Sequence, residues 1–84
     1  MKDIKAVFED GTGGRGSFSF IEKAPNGKYF NNYGYDKDLC PQAPSSAGAF
    51  ASYGEAERAL YKHRPNAVKL KNPYRKARKN KKPR

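Results

Sequence analysis

The residues in this chain that are best suited to binding a charged partner are the lysines and arginines near its C-terminal end. Residues 61–84 hold eleven of the eighteen basic residues and no Asp or Glu, so that segment has a formal charge of +11. Residues 1–60 hold the other seven basic residues and all eight acidic residues, which sum to −1. Because the net charge of +10 is concentrated at one end, the sequence predicts contact with a polyanion.

Nucleic acid is the polyanion that this pattern favours. Lysines and arginines that neutralise phosphates release counterions, and the affinity grows with the number of contacts. One alternative is an acidic protein surface, to which a small regulator or inhibitor would dock, and another is a segment that only keeps the chain soluble. The cations that we assign to the interface at this end of the chain are Lys69, Lys71, Arg75, Lys76, Arg78, Lys79, Lys81, Lys82 and Arg84.

Three tyrosines at short spacing form a candidate stacking surface. Tyr29, Tyr33 and Tyr35 lie close together in the sequence, with two asparagines between the first two. Stacking of a base on an exposed aromatic ring is worth about 1–3 kcal/mol and tolerates any base. We therefore assign the tyrosines to the nucleic-acid interface. The alternative is that they pack, covered by residues 36–48 or by a second copy of the chain.

A glycine-rich segment is a candidate for a single phosphate contact. Gly11, Gly13 and Gly16 match the G-x-G-x-x-G spacing of dinucleotide-binding loops, but that fingerprint requires a following helix within a βαβ unit. Here a predicted strand follows, so we reject a dinucleotide site and expect no cofactor. The backbone N–H groups of the glycines, together with Arg15, are suited to holding one phosphate. The alternative is a hairpin loop without a ligand.

The chain offers little for catalysis or for metal binding. One cysteine (Cys40) and one histidine (His63) fall short of the four ligands of a structural zinc site, so no metal is expected. His63 is placed for a favourable interaction with a helix C-terminus, and Glu57, six residues earlier, does not share its helical face. We therefore expect no enzymatic activity, and a basic ribonuclease ranks third among the functional hypotheses.

The N-terminal residues and the cysteine content bear on location. Residues 1–5 have no apolar run, and no segment approaches the roughly 20 apolar residues that a membrane span requires. A single cysteine excludes an intrachain disulfide. The sequence therefore predicts a cytoplasmic protein with no membrane partner, and it leaves the oligomeric state open.

The hairpin is the clearest structural signal. An alternating strand at residues 3–8, with its even-numbered apolar residues on one side, precedes two more strands at residues 17–23 and 28–35. The intervening Ala24-Pro25-Asn26-Gly27 suits a type I turn that closes with a left-handed glycine. The pairs that this turn predicts are Glu22 with Phe30, Phe20 with Asn32, and Phe18 with Gly34.

This register sorts the side chains between the two faces of the sheet. Phe18, Phe20 and Phe30 share one face, which is apolar enough to be the core. The three tyrosines share the other face with polar residues. We expect a helix to cover the phenylalanine face and the tyrosine face to stay open to solvent.

The second half of the chain contains one helix. Residues 36–48 have no periodicity and are predicted to form a long loop. Ser52 and Glu55 form a capping box, and Pro65 ends a helix of about eleven residues. A short strand at residues 67–71 is predicted to turn Val68 and Leu70 inward and its lysines outward.

These elements predict a small α+β domain with strand order β-β-β-α-β along the chain. Its antiparallel sheet carries one helix on one face. The domain spans residues 1–72, and residues 73–84 form a disordered basic tail because they offer too few apolar side chains to order them. The leading hypothesis is a small nucleic-acid-binding protein, for DNA or RNA, with weak sequence specificity.

Overall fold

Five strands form one antiparallel sheet in the computed structural model, which describes residues 3–11, 17–45 and 47–74. The elements in chain order are β1 (Asp3–Glu9), β2 (Phe18–Lys23), β3 (Tyr29–Tyr35), a 3₁₀ helix (Lys37–Gln42), β4 (Ala47–Phe50), α1 (Tyr53–His63) and β5 (Val68–Leu70). The strands lie in the order β4-β3-β2-β1-β5. The predicted fold class, a small antiparallel sheet with one α-helix on one face, is confirmed. Residues 75–84, most of the predicted tail, lie outside the described residues.

The β2–β3 hairpin forms around the predicted turn. The Ala24 N–H donates to the Lys28 carbonyl at 2.8 Å, and the Gly27 N–H donates to the Ala24 carbonyl at 2.9 Å. Gly27 has a φ of 88°, which glycine adopts without a steric penalty. Glu22 pairs with Phe30, as the turn predicts. The pairing of Phe20 with Asn32 is likewise confirmed.

Two irregularities displace side chains from their predicted faces. Phe18 pairs with Tyr35 instead of Gly34, since Gly34 takes a φ of 75° where the register shifts. Tyr35 therefore packs on the Phe20 side, with 6.2 Å between the ring centroids. A second shift, between Ile4 and Ala6, moves Ile4 to the side opposite Ala6. The predicted common faces were wrong at these positions because bulges break the alternation.

Both faces of the sheet are buried, each under a different cover. The cluster under the 3₁₀ helix, here the 3₁₀-side cluster, consists of Ile4, Val7, Phe20, Cys40 and Ala43. The cluster under α1, here the helix-side cluster, consists of Ala6, Phe8, Ile21, Ala56 and Leu60. The expected assignment was therefore wrong. The helix covers the face of Tyr29 and Tyr33, and the segment predicted to be a loop covers Phe20.

Helix α1 has the predicted bounds because its local signals agree. The Ser52 hydroxyl accepts from the Glu55 N–H at 3.2 Å, and a Glu55 carboxylate oxygen accepts from the Ala51 N–H at 3.1 Å. The helix runs for eleven residues and ends before Pro65. Its buried residues are Ala56 and Leu60, one turn apart on the face toward the sheet.

The segment after β3 is more regular than expected. The Asp36 side chain accepts from the Asp38 N–H at 3.0 Å and caps the 3₁₀ helix. β4 then pairs with β3 at the sheet edge. Gly48 lies directly against the Phe30 ring, which a Cβ at this position would overlap. A strand without alternation can form here because glycine permits this close approach.

The last strand and the residues after it also differ from expectation. Val68 is 59% exposed and does not turn inward, while Leu70 packs against the 3₁₀-side cluster. The Asn72 side-chain amide donates to the Ile4 carbonyl at 2.7 Å. Tyr74, which the sequence placed in the tail, also packs against the 3₁₀-side cluster. The chain is therefore attached to the sheet as far as Tyr74.

Candidate nucleic-acid interface

Lys69 points toward α1 and is held there by a carboxylate. Its ammonium lies 3.1 Å from a Glu57 carboxylate oxygen and 5.1 Å from the centroid of the Tyr53 ring. Hydrogen bonding to Tyr53, followed by Glu57, raises the pKa of Lys69, so the amine stays charged. Its charge is nevertheless balanced by Glu57. The predicted phosphate ligand therefore also joins β5 to the helix.

Lys71 differs from Lys69 in having no carboxylate within ion-pair distance among the residues that the structure describes. It is exposed, and the neighbouring Asn72 is bonded to β1. Three residues later Tyr74 is half-buried, and its N–H donates to the Asn72 side-chain carbonyl at 2.9 Å. Lys71 is therefore a cation of fixed position at the point from which the basic residues 75–84 continue.

Cys40 lies beneath Tyr74 and is unsuited to nucleophilic chemistry. The residue is fully buried in the 3₁₀-side cluster. Burial raises the pKa of the Cys40 thiol to about 11, although a hydrogen bond from Tyr74 opposes that rise. A thiol with so high a pKa contains very little of the reactive thiolate near neutral pH. Cys40 therefore belongs to the packing of this face.

The three tyrosines do not form one flat surface. Tyr29 contacts Tyr53 of α1, with ring centroids 6.2 Å apart, and Lys23 lies 5.7 Å from its ring centroid. Tyr35 lies on the other side of the sheet against Phe20. All three tyrosines are half-buried. The stacking surface predicted from their spacing is therefore divided between two faces, both of which are covered.

Tyr33 lies in a different environment, at the C-terminal end of α1. Its ring centroid is 5.4 Å from that of His63, and the Arg64 guanidinium carbon lies 5.2 Å from the Tyr33 centroid. The Tyr33 hydroxyl accepts from the buried Asn31 side-chain amide at 3.1 Å. Sequence reasoning noted His63 but missed its contact with Tyr33. The signal in the sequence that pointed to this site was the run Lys62-His63-Arg64 at the predicted end of the helix.

A buried carboxylate holds Arg64 in this position. The Arg64 Nε lies 3.4 Å from an Asp10 carboxylate oxygen, which also accepts from the Ser19 hydroxyl at 3.0 Å. The Asp10 N–H donates to the Ser17 carbonyl at 2.7 Å. Arg15 lies outside the described residues. We call Tyr33, Lys62, His63 and Arg64 the helix-end corner.

The formal charge is distributed very unevenly along the chain. Residues 1–74, here called the body, contain eleven basic and eight acidic side chains, for a charge of +3. Residues 75–84 contain seven basic side chains and no acidic ones, for a charge of +7. Most of the positive charge therefore follows Tyr74.

Known proteins provide no template for this chain, since no family model, curated protein or solved structure matches it. Within the described ranges, no three His, Cys, Asp or Glu side chains are grouped closely enough to hold a metal ion. None of the helices in that part of the chain is long and apolar enough to cross a membrane. Function must therefore be argued from charge distribution and side-chain geometry.

Proposed function

We propose that this protein binds nucleic acid, with residues 75–84 making most of the phosphate contacts. The observation that carries the proposal is the separation of charge between residues 1–74, which sum to +3, and residues 75–84, which hold the other +7. Solubility requires a net charge but does not require that the charge be concentrated in one short segment. Seven cations in ten residues, with no acid among them, instead match the high linear charge density of a phosphate backbone.

The geometry around Tyr74 supports a division of roles. Tyr74 and Asn72 attach the chain to the sheet, so the basic residues begin at a defined place. Lys71 adds an exposed cation beside that point. Affinity then comes from the charged residues, and orientation comes from the body. Because phosphate contacts carry no sequence information, we expect weak sequence specificity.

Fluorescence anisotropy across a salt series tests the proposal. If all seven cations of residues 75–84 contact single-stranded phosphates, log K falls with log salt concentration at a slope of about −5, and on duplex DNA at about −6. Labelled single-stranded and duplex DNA and RNA are titrated between about 50 and 300 mM salt. Absence of binding to every probe at the lowest salt concentration would overturn the proposal.

A full-length charge variant provides the matched comparison. Replacing the seven Lys and Arg of residues 75–84 by Gln keeps the length and removes the charge of this segment. We therefore expect the magnitude of the salt slope to fall by about 5 on single strands and by about 6 on duplex DNA. A second variant, with the same ten residues in shuffled order, keeps the charge and should bind as the wild type does. Equal loss in both variants would show that order matters, as expected for docking to a defined protein surface.

A further inference from the structure

We propose that the helix-end corner is a stacking subsite for one base of a single-stranded nucleic acid, with Lys62 contacting an adjacent phosphate. This inference rests on the proposed function and assigns a position to its contact with the body. The inference is based on the contact of Tyr33 with His63 and Arg64. The Tyr33 ring centroid lies 5.4 Å from the His63 ring centroid and 5.2 Å from the Arg64 guanidinium carbon.

The exposed partner in this corner is His63. Its side chain lies on the surface, whereas Tyr33 and Arg64 are half-buried behind it. Imidazole rings and guanidinium planes both stack on bases in single-stranded recognition. The corner therefore offers an exposed imidazole ring, against which the Tyr33 ring lies at an interplanar angle of 56°.

The corner is also preorganised. Arg64 is held by the fully buried side chain of Asp10, and its Nη1 donates to the His63 carbonyl at 3.2 Å. The Tyr33 hydroxyl is fixed by Asn31, whose amide also donates to the Ala56 carbonyl at 2.8 Å. Side chains that are already immobilised lose less conformational entropy when a ligand binds. This arrangement distinguishes the corner from an ordinary mobile surface arginine.

Charge at the corner favours an anionic ligand. Lys62 is exposed, and the only acidic group that contacts the corner in the described residues is Asp10, which is buried and already paired with Arg64. By contrast, Lys69 near the other end of α1 is balanced by Glu57. At the corner, Lys62 is therefore the cation that no carboxylate balances among the described residues.

Single-stranded nucleic acid fits this corner better than a duplex does. Stacking requires a base whose face is free, and paired bases inside a duplex present only their edges. A helix that enters the major groove needs a surface that phosphates do not repel. The exposed side of α1 instead mixes Glu55 with Arg58 and Lys62. The duplex is thus the internal control of the test.

Substitutions at His63 separate stacking from other effects. In the full-length protein, His63→Gln removes the ring, and we expect about fivefold weaker binding to a labelled mixed-sequence single strand, in both DNA and RNA forms. His63→Phe keeps a ring without any charge and should bind within about twofold of the wild type, because stacking tolerates exchange of one ring for another. Duplex affinity should be unchanged in both variants. Circular dichroism checks that each variant is folded.

Lys62→Gln tests the phosphate contact against Lys28→Gln as a matched control. Both lysines are exposed, but Lys28 lies in the hairpin turn, away from the corner. Loss of one phosphate contact reduces the magnitude of the single-strand salt slope by about 0.7. We expect this change in Lys62→Gln and no change in Lys28→Gln.

The possible results distinguish this inference from the proposed function. Wild-type binding that is indifferent to His63→Gln, or equal losses in His63→Gln and His63→Phe, would overturn the stacking subsite alone. Equal losses for single strands and duplexes would also overturn it, since a duplex has no free base to stack. Absence of wild-type binding to any nucleic acid would overturn both proposals.

Discussion

Both faces of the sheet bury an apolar cluster, but one is covered by an α-helix and the other by a short 3₁₀ helix. On the helix side, Ala56 and Leu60 come from a capped amphipathic helix. On the 3₁₀ side, Cys40 and Ala43 come from the short 3₁₀ helix and the residue that follows it, and Tyr74 adds a half-buried ring. The difference shows that the periodic apolar residues of an amphipathic helix can be recognised in the sequence. A segment without such a period is recognised as a cover only once the structure shows the sheet face that it buries.

The two covers also define the two ends of the proposed interface. The helix side ends in the helix-end corner at His63, and the 3₁₀ side ends at Tyr74, where residues 75–84 begin. The proposed phosphate contacts of residues 75–84 and the proposed base stacking at the helix-end corner therefore belong to different parts of the protein. The stability of each cover can be tested independently of any ligand.

The largest expected effect compares the central side chain of each cluster. Phe8 on the helix side and Phe20 on the 3₁₀ side are both fully buried. Phe8→Ala and Phe20→Ala should each lower the free energy of unfolding by about 3–5 kcal/mol, through lost transfer energy and an incompletely collapsed cavity. Urea denaturation measures both. Where an Ala variant does not fold, the corresponding Leu variants provide the comparison. A loss in the Phe20 variants much smaller than in the Phe8 variants would show that the 3₁₀ cover is not a true core.

The Cys40 thiol reports on the 3₁₀ cover through its pH dependence. With the thiol pKa raised from 9.0 to about 11, the thiolate fraction near pH 8 falls about 100-fold, and alkylation slows at least in proportion relative to the urea-unfolded chain. The folded state retains the thiol proton to higher pH, so stability falls as pH rises between those two values. Mass spectrometry follows the alkylation rate. Tyr74→Ala should accelerate it, and equal rates in folded and unfolded chains would contradict burial.

A smaller effect on the free energy of unfolding is expected where β4 pairs with β3. β4 lies between the 3₁₀ helix and α1 in the chain. Gly48→Ala would place a methyl group inside the Phe30 ring, and overpacking of this kind costs about 1–3 kcal/mol. Gly54→Ala is the matched control, because its added Cβ makes only ordinary contacts, at 3.6 Å from an Arg58 guanidinium nitrogen and 3.9 Å from the Ser52 hydroxyl oxygen. In a helix that change should stabilise by up to about 1 kcal/mol. Thermal denaturation distinguishes the opposite signs, and a neutral Gly48→Ala would contradict the close packing.

The smallest effect compares the caps of the two covers. Ser52 caps α1 and Asp36 caps the 3₁₀ helix, each by accepting a hydrogen bond from a backbone N–H. Ser52→Ala should cost about 1 kcal/mol and Asp36→Ala about half as much, since a 3₁₀ helix has poorer hydrogen-bond geometry to preserve. Chemical denaturation gives both values. The reverse order would indicate that the 3₁₀ helix contributes more to stability than its length suggests.

Predictions from the sequence succeeded where the signal was local. Ser52 and Glu55 define the start of α1, and Gly27 defines the hairpin turn, because each acts within a few residues of its partner. The predicted pairing of Phe18 with Gly34 failed, because a bulge at Gly34 shifts the register at the end of the hairpin that is far from the turn. The prediction also failed at Val68. Leu70 lies opposite the buried Val7, whereas Val68 lies opposite Glu9 at the end of β1 and stays exposed.

The candidate site divides in the same way. The run of cations after Tyr74 is evident in the sequence, because charge density needs no fold to define it. The pairing of Lys69 with Glu57 joins β5 to α1, and Arg64 meets Asp10 across 54 positions in the chain. No spacing rule connects residues so far apart. Sequence alone therefore identified the charge but not which cations the body already uses.

The sequence by itself determined the α+β fold class, the hairpin, the limits of α1 and the concentration of positive charge near the C-terminal end. Only the tertiary structure decided that the helix covers the face of Tyr33 and that the 3₁₀ helix covers Phe20. It alone brought Tyr33 to His63 and Arg64. The physical reason is that turns and caps are stabilised by neighbouring residues. Which segment covers each face of the sheet depends instead on the burial of apolar side chains, and those side chains come from segments that are far apart in the chain.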